Sequence, residues 1–86
     1  MSRKNLVQSI YKILLLYEDA IDSKSEDKLN DYVAYLNRQK VRFIAIDSEI
    51  AETIEGLRML RDAIDHKTVK SVVFHLIDII GKRGLE

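Results

Sequence analysis

Residues 38–52, RQKVRFIAIDSEIAE, decide the fold. Leu29, Leu36, Phe43, Ile50, Leu57 and Ile64 recur every seven positions through this stretch. That spacing suits one helix of roughly 40 residues and roughly 60 Å, a rod that would need a partner. The charges argue the other way. Arg38, Lys40 and Arg42 precede Asp47, Glu49 and Glu52, which puts cations at a carboxyl end and acids at the next amino end, as two helix dipoles meeting at a break require. Asp47 or Ser48 can accept from the orphan amides of a new first turn. We therefore read a break here and an all-α fold, a small antiparallel four-helix bundle. The alternative is three helices with one long central helix, paired in a dimeric bundle.

Working toward the amino end, Leu29, Tyr32, Val33, Leu36 and Phe43 give the apolar face of the helix before the break, with a polar gap at Gln39 and Lys40. Ser23 followed by Glu26 has the form of a capping box, hydroxyl to one free amide and carboxylate back to another, and predicts the start of that helix. A first helix precedes it, with Leu6, Ile10, Ile13, Leu14, Tyr17 and Ile21 in the +4, +3 rhythm of one face. Toward the carboxyl end, Ile50, Ile54, Leu57, Leu60 and Ile64 predict a third helix ending near Asp65. Thr68 then caps a fourth, with Val69, Val72, Val73, Leu76, Ile79 and Ile80 inward and Gly81, Lys82 and Arg83 closing it. The stretch KVRFIAID at 40–47 and the valine-rich last segment have strand-like composition. No turn chemistry pairs them, which sets a mixed α/β fold aside.

Eighty-six residues are enough for one domain, read here as residues 1–84, with Leu85 and Glu86 taken as an expression-vector remnant. With 14 Lys plus Arg against 14 Asp plus Glu, the chain as a whole lacks the charge excess that draws a protein to nucleic acid or anionic lipid. The absence of Cys removes disulfides, thiolate nucleophiles and Cys-based zinc sites. The longest apolar run, Ile13 to Tyr17, falls far short of the roughly 20 residues that span a bilayer, and no secretory leader pattern is seen. The expectation is a cytoplasmic protein with no membrane span.

Chemistry is sparsely represented. His66 and His75 are the natural acid–base candidates, but they stand nine positions apart. Ser71, His75 and Asp78 share a helix face at offsets of four and three, which is the pattern of a solvated surface unless an oxyanion hole accompanies it. Glu18, Asp19, Asp22, Glu26, Asp27 and Asp31 form an acidic cluster, yet the Glu-x-x-His signature of di-metal bundles is missing, as are phosphate loops, HExxH and calcium loops. The sequence leads us to expect no enzyme, no cofactor and no metal.

Two surface readings remain. Leu16, Ile44, Met59 and Phe74 lie off the predicted stripes and are the candidate contacts of a protein–protein interaction module, whose partner is a second copy or another protein. As an alternative, Arg38, Lys40, Arg42, Lys67 and Lys70 would contact phosphates in a nucleic-acid-binding regulator, with the third and fourth helices as a helix-turn-helix; the strongly apolar last helix speaks against it.

The segment LRMLRDAID at 57–65 resembles the opening of the first helix of the all-helical chorismate mutases. Only about 20 residues follow it, too few for the catalytic helices that the resemblance would imply. Small bacteriocin immunity proteins are similar in size and helical pattern, an analogy of shape alone that no motif supports.

Overall fold

Each α-helix begins at a serine or aspartate whose side-chain oxygen takes an otherwise orphaned backbone amide. In the computed structural model, which describes residues 2–86, Ser2 caps α1 (Arg3–Ser23) by accepting from the Asn5 amide, and Ser25 caps α2 (Glu26–Ile44) by accepting from Lys28. Asp47 caps α3 (Ser48–Leu60) through the amides of Glu49 and Ile50, and Asp65 caps α4 (His66–Lys82) through that of Thr68. The break expected between 42 and 52 is present. After Ile44 the amides of Ile46 and Asp47 both turn back to the Phe43 carbonyl, and Asp47 opens the next helix. The single long rod is thereby excluded. Phe43 and Ile50 are both fully buried although they lie on different helices, so the sevenfold spacing reports a shared core.

Three boundaries differ from the sequence reading. The cap of α2 is Ser25, not Ser23: Lys24 adopts a left-handed conformation (φ 52°) and its amide closes α1 on the Ala20 carbonyl. Ser23 is therefore still helical, and its hydroxyl donates back to the Asp19 carbonyl. The third helix stops at Leu60 instead of running to Asp65, because a 3₁₀ turn, Arg61–Ala63, intervenes with Arg61 at φ 44°. Thr68 donates its amide to Asp65 and lies inside α4, so that helix starts earlier than expected. At the far end Gly84 (φ 63°) and the bonds Gly84 N–H to Gly81 and Leu85 N–H to Ile80 form a Schellman closure. Leu85, which the sequence reading sets aside, packs half-buried against the core there.

The helices alternate in direction, each joined to the next by a short link. α1 packs against both α2 and α4, while α3 lies along α2 and meets α4 more thinly. The whole measures 36 × 20 × 19 Å, consistent with helices of up to 21 residues at about 1.5 Å per residue. Leu6, Ile10 and Ile13 of α1 meet Tyr32, Leu36 and Phe43 of α2, Ile50 and Ile54 of α3 and Val69, Val73, Leu76 and Ile80 of α4 in one core. Burying an aliphatic side chain of this kind contributes about 1.5–3 kcal/mol. Tyr35 and Gln39 are buried where the sequence pattern of α2 offers Val33 followed by a polar gap, and Ile21 and Leu60 are exposed. Gln39 fills the gap itself, its carbonyl oxygen accepting from Arg42 at 3.2 Å.

Candidate protein-binding face

Because a helix turns about 100° per residue, α1 carries Lys4, Gln8, Tyr11, Lys12, Leu15, Asp19 and Asp22 on the side away from the core formed by Leu6, Ile10, Ile13, Leu14 and Tyr17. Two of these outward residues are large and apolar. Tyr11 is 40% and Leu15 48% exposed, and Phe74 of α4, 47% exposed, brings its ring to 6.3 Å from that of Tyr11. Tyr11 and Leu15 line an open groove of about 720 Å³ along α1 together with Val7, Gln8, Lys12, Leu16 and Asp19, and Phe74 adjoins it through Tyr11. Exposed apolar side chains scattered singly are ordinary, but neighbouring ones that share a groove form a contact surface.

The four residues singled out from the sequence do not converge. Phe74 borders this face, and Leu16 lies on its α2-side edge, partly buried against the core. Ile44 stands at the end of α2, in a smaller groove with Lys40, Ala51 and Glu55, while Met59 is exposed at the opposite end of α3. Tyr11 escapes the sequence reading, and Leu15, off the predicted stripe like its neighbour Leu16, is passed over there in favour of Leu16. Leu15 was legible, since the 100° rule puts it nearer than Leu16 to the point opposite the core stripe. Tyr11 was not, because its importance depends on α4 being the neighbour that supplies Phe74.

The basic candidates are also dispersed. Arg38 and Arg42 face α1, where Arg38 and Lys12 sit over the Tyr35 ring at 5.6 and 5.2 Å and Arg42 donates to the Ser9 hydroxyl at 2.7 Å. The Tyr35 phenol donates to the Ser9 carbonyl, and burial raises its pKa against the lowering effect of Ser9 and the two arginines. Lys40 faces the other way and pairs with Glu55 at 3.1 Å. Lys67 and Lys70 are on α4, across α1 from α2, and α2 and α4 do not touch. No helix-turn-helix surface gathers the five.

The residues with acid–base potential are likewise separate. His66 Nε2 lies 2.7 Å from Glu18 Oε2, tying the start of α4 to α1, and Asp78 pairs with Lys82 instead of joining Ser71 and His75. Among the described residues no group of three or more His, Asp or Glu is arranged to hold a metal ion, and no helix is long and apolar enough to cross a membrane. No family model matches the chain, and no curated protein or solved structure matches it significantly.

Proposed function

We propose that this chain is a protein-binding module whose contact surface is the outer face of α1 together with Phe74, acting by association and not by catalysis, in the cytoplasmic setting expected from its composition. The observation that carries the reading is the exposed pair Tyr11 and Leu15 along an open groove, with Phe74 packed beside Tyr11, the groove's other lining being one lysine, one aspartate and one glutamine besides aliphatic side chains. An aromatic and aliphatic centre with a charged rim is the usual anatomy of a protein contact. The test is photo-crosslinking in an extract of the source cells from a probe placed at Leu15, with a control probe at Glu52, an exposed residue of α3. Adducts with polypeptide at position 15, competed by excess unmodified chain and missing at position 52, are the expected result; no adduct of any kind at position 15 would overturn the reading.

A second reading, contact with phosphates, has one observation in its favour: Lys12 and Arg38 flank the Tyr35 ring beside a polar groove of about 400 Å³. It predicts oligonucleotide retention that weakens steeply with salt and is lost in K12A and R38A.

A further inference from the structure

Every charged residue of α1 before Leu15 is basic, namely Arg3, Lys4 and Lys12, and every one after it is acidic, namely Glu18, Asp19 and Asp22. This is the reverse of what the helix dipole favours, since acids stabilise an amino end and bases a carboxyl end; α1 has no acid in its first turn and no base in its last. Some of the acids are answered from within the chain, Glu18 by His66 and Asp19 by Lys28 in an exposed pair. Lys4, Lys12 and Asp22 have no ion-pair partner among the described residues, and Lys4 and Asp22 stand at the two ends of the outward face that holds Tyr11 and Leu15.

We propose that a second copy of this chain docks on the outer face of α1, the two α1 helices antiparallel about a twofold axis between Tyr11 and Leu15. An isologous contact requires a patch that is complementary to itself, and this face meets that requirement in sequence order. With residues whose numbers sum to about 26 facing each other, Tyr11 meets Leu15 of the other copy, twice, at the centre. Lys4 meets Asp22 of the other copy, twice, at the rim. The antiparallel arrangement also sets the positive end of each dipole beside the negative end of the other. A parallel pairing would place Lys4 against Lys4 and Asp22 against Asp22. The apolar centre supplies the association and the charges set its direction. This deepens the protein-binding reading by naming the occupant of its face, and it rests on that reading.

The test is solution mass by sedimentation over a concentration series for the wild type, L15D, K4E, D22K and an equimolar mixture of K4E with D22K. Helical signal is measured for each, since Lys4 and Asp22 are exposed and their exchange should leave the fold intact. The expected result is a wild-type dimer, its dissociation constant raised roughly tenfold or more in K4E and in D22K, and abolished in L15D. The mixture restores the dimer, because the two exchanged charges then oppose each other at one rim while the native lysine and aspartate oppose each other at the other. A wild type that stays monomeric, a dimer indifferent to L15D, or a mixture that fails to restore association each overturns the proposal. Crosslinks from position 15 to a different polypeptide, with a monomeric wild type, would leave the binding face standing and remove only the second copy.

Discussion

The phenol of Tyr17 donates to the backbone carbonyl of Ile64, 47 positions later in the chain, and its ring lies 5.2 Å from that of Tyr32. Ile64 has extended geometry after the 3₁₀ turn, so its carbonyl has left the helical ladder and needs a donor from elsewhere. Tyr17 supplies it and fixes the α3–α4 link against α1. Tyr32, fully buried beside it, has no partner for its hydroxyl among the described residues. Burial raises both phenol pKa values; Asp65 and Asp62 add to the effect at Tyr17, and Tyr17 itself adds to it at Tyr32.

The two tyrosines should therefore respond oppositely to loss of the hydroxyl. Tyr17→Phe strands a buried carbonyl and should cost about 1–3 kcal/mol, whereas Tyr32→Phe removes an unmet polar group and should be neutral or stabilising by up to about 1 kcal/mol. Urea unfolding of the two variants measures this. Equal destabilisation by both would show that Tyr32 has a donor or acceptor after all.

Lys24 ends α1 in the left-handed conformation at φ 52°, where a side chain costs roughly 1 kcal/mol that glycine does not incur. Lys24→Gly should raise stability by about 0.5–1 kcal/mol, offset in part by the greater freedom of glycine in the unfolded chain. Lys24→Ala should do neither. A thermal melt that ranks alanine above glycine would contradict the assigned turn.

What the sequence disclosed follows the range of the interactions involved. The break at Asp47 was legible because a dipole-matched change of charge and a capping side chain act within one turn of the chain. The placement of α2's start was not. Ser23 and Ser25 are both good caps, and the choice falls to Ser25 because Lys24 takes the left-handed turn. The core stripes were readable from period, except that the packing of α1 against α2 buries Tyr35 and Gln39 beyond the stripe and that Ile21 and Leu60, expected inward near the helix ends, are exposed. Of the candidate face, only Leu15 was accessible to a strict rotation argument. The Tyr11–Phe74 pair depends on which helix lies beside which, a matter settled by tertiary packing, whereas the separation of Lys40 from Arg38 and Arg42 was legible, since positions two apart on one helix point about 200° apart.

Glu55 is held to a pKa of about 2, chiefly by the hydrogen bond from Arg58 and then by Lys40. Asp65 is lowered by its bonds to Thr68. Asp47 is lowered because the Arg83 hydrogen bond and the amides of Ile50 and Glu49 outweigh its desolvation. Each carboxylate is more acidic folded than unfolded, so its contribution is complete above the unfolded value, 4.5 for Glu55 and 3.8 for the two aspartates, and is lost as pH falls toward the folded one. Stability should accordingly hold from neutrality to about pH 5 and decline below it. Glu55→Gln should lower stability at neutral pH and flatten that decline. Denaturant midpoints across the acid range check this, and an unchanged slope in Glu55→Gln would remove Glu55 from the account.

Asp47 has two tasks that can be separated. Its Oδ1 accepts from the amides of Glu49 and Ile50, while its Oδ2 takes Arg83, which also reaches Glu49 at 2.6 Å. One side chain thus starts α3 and pins the end of α4 to it, across the thinnest of the helix contacts in the bundle. Asparagine keeps an oxygen for the cap and gives up the charge; alanine gives up both. Asp47→Ala should cost about 1–2 kcal/mol for the cap alone, and Asp47→Asn less, with Arg83→Met adding little to the alanine variant because its partner has already gone. Removing the cap also tests the rejected architecture. The sevenfold series from Leu29 to Ile64 is still present in Asp47→Ala, and if the bundle were only marginally preferred over a continuous rod, helical signal and solution mass would both rise as α2 and α3 merged. The expectation is a less stable chain of unchanged helical content, since Phe43 and Ile50 are already buried in one core from either side of the turn and a straight rod would draw them apart.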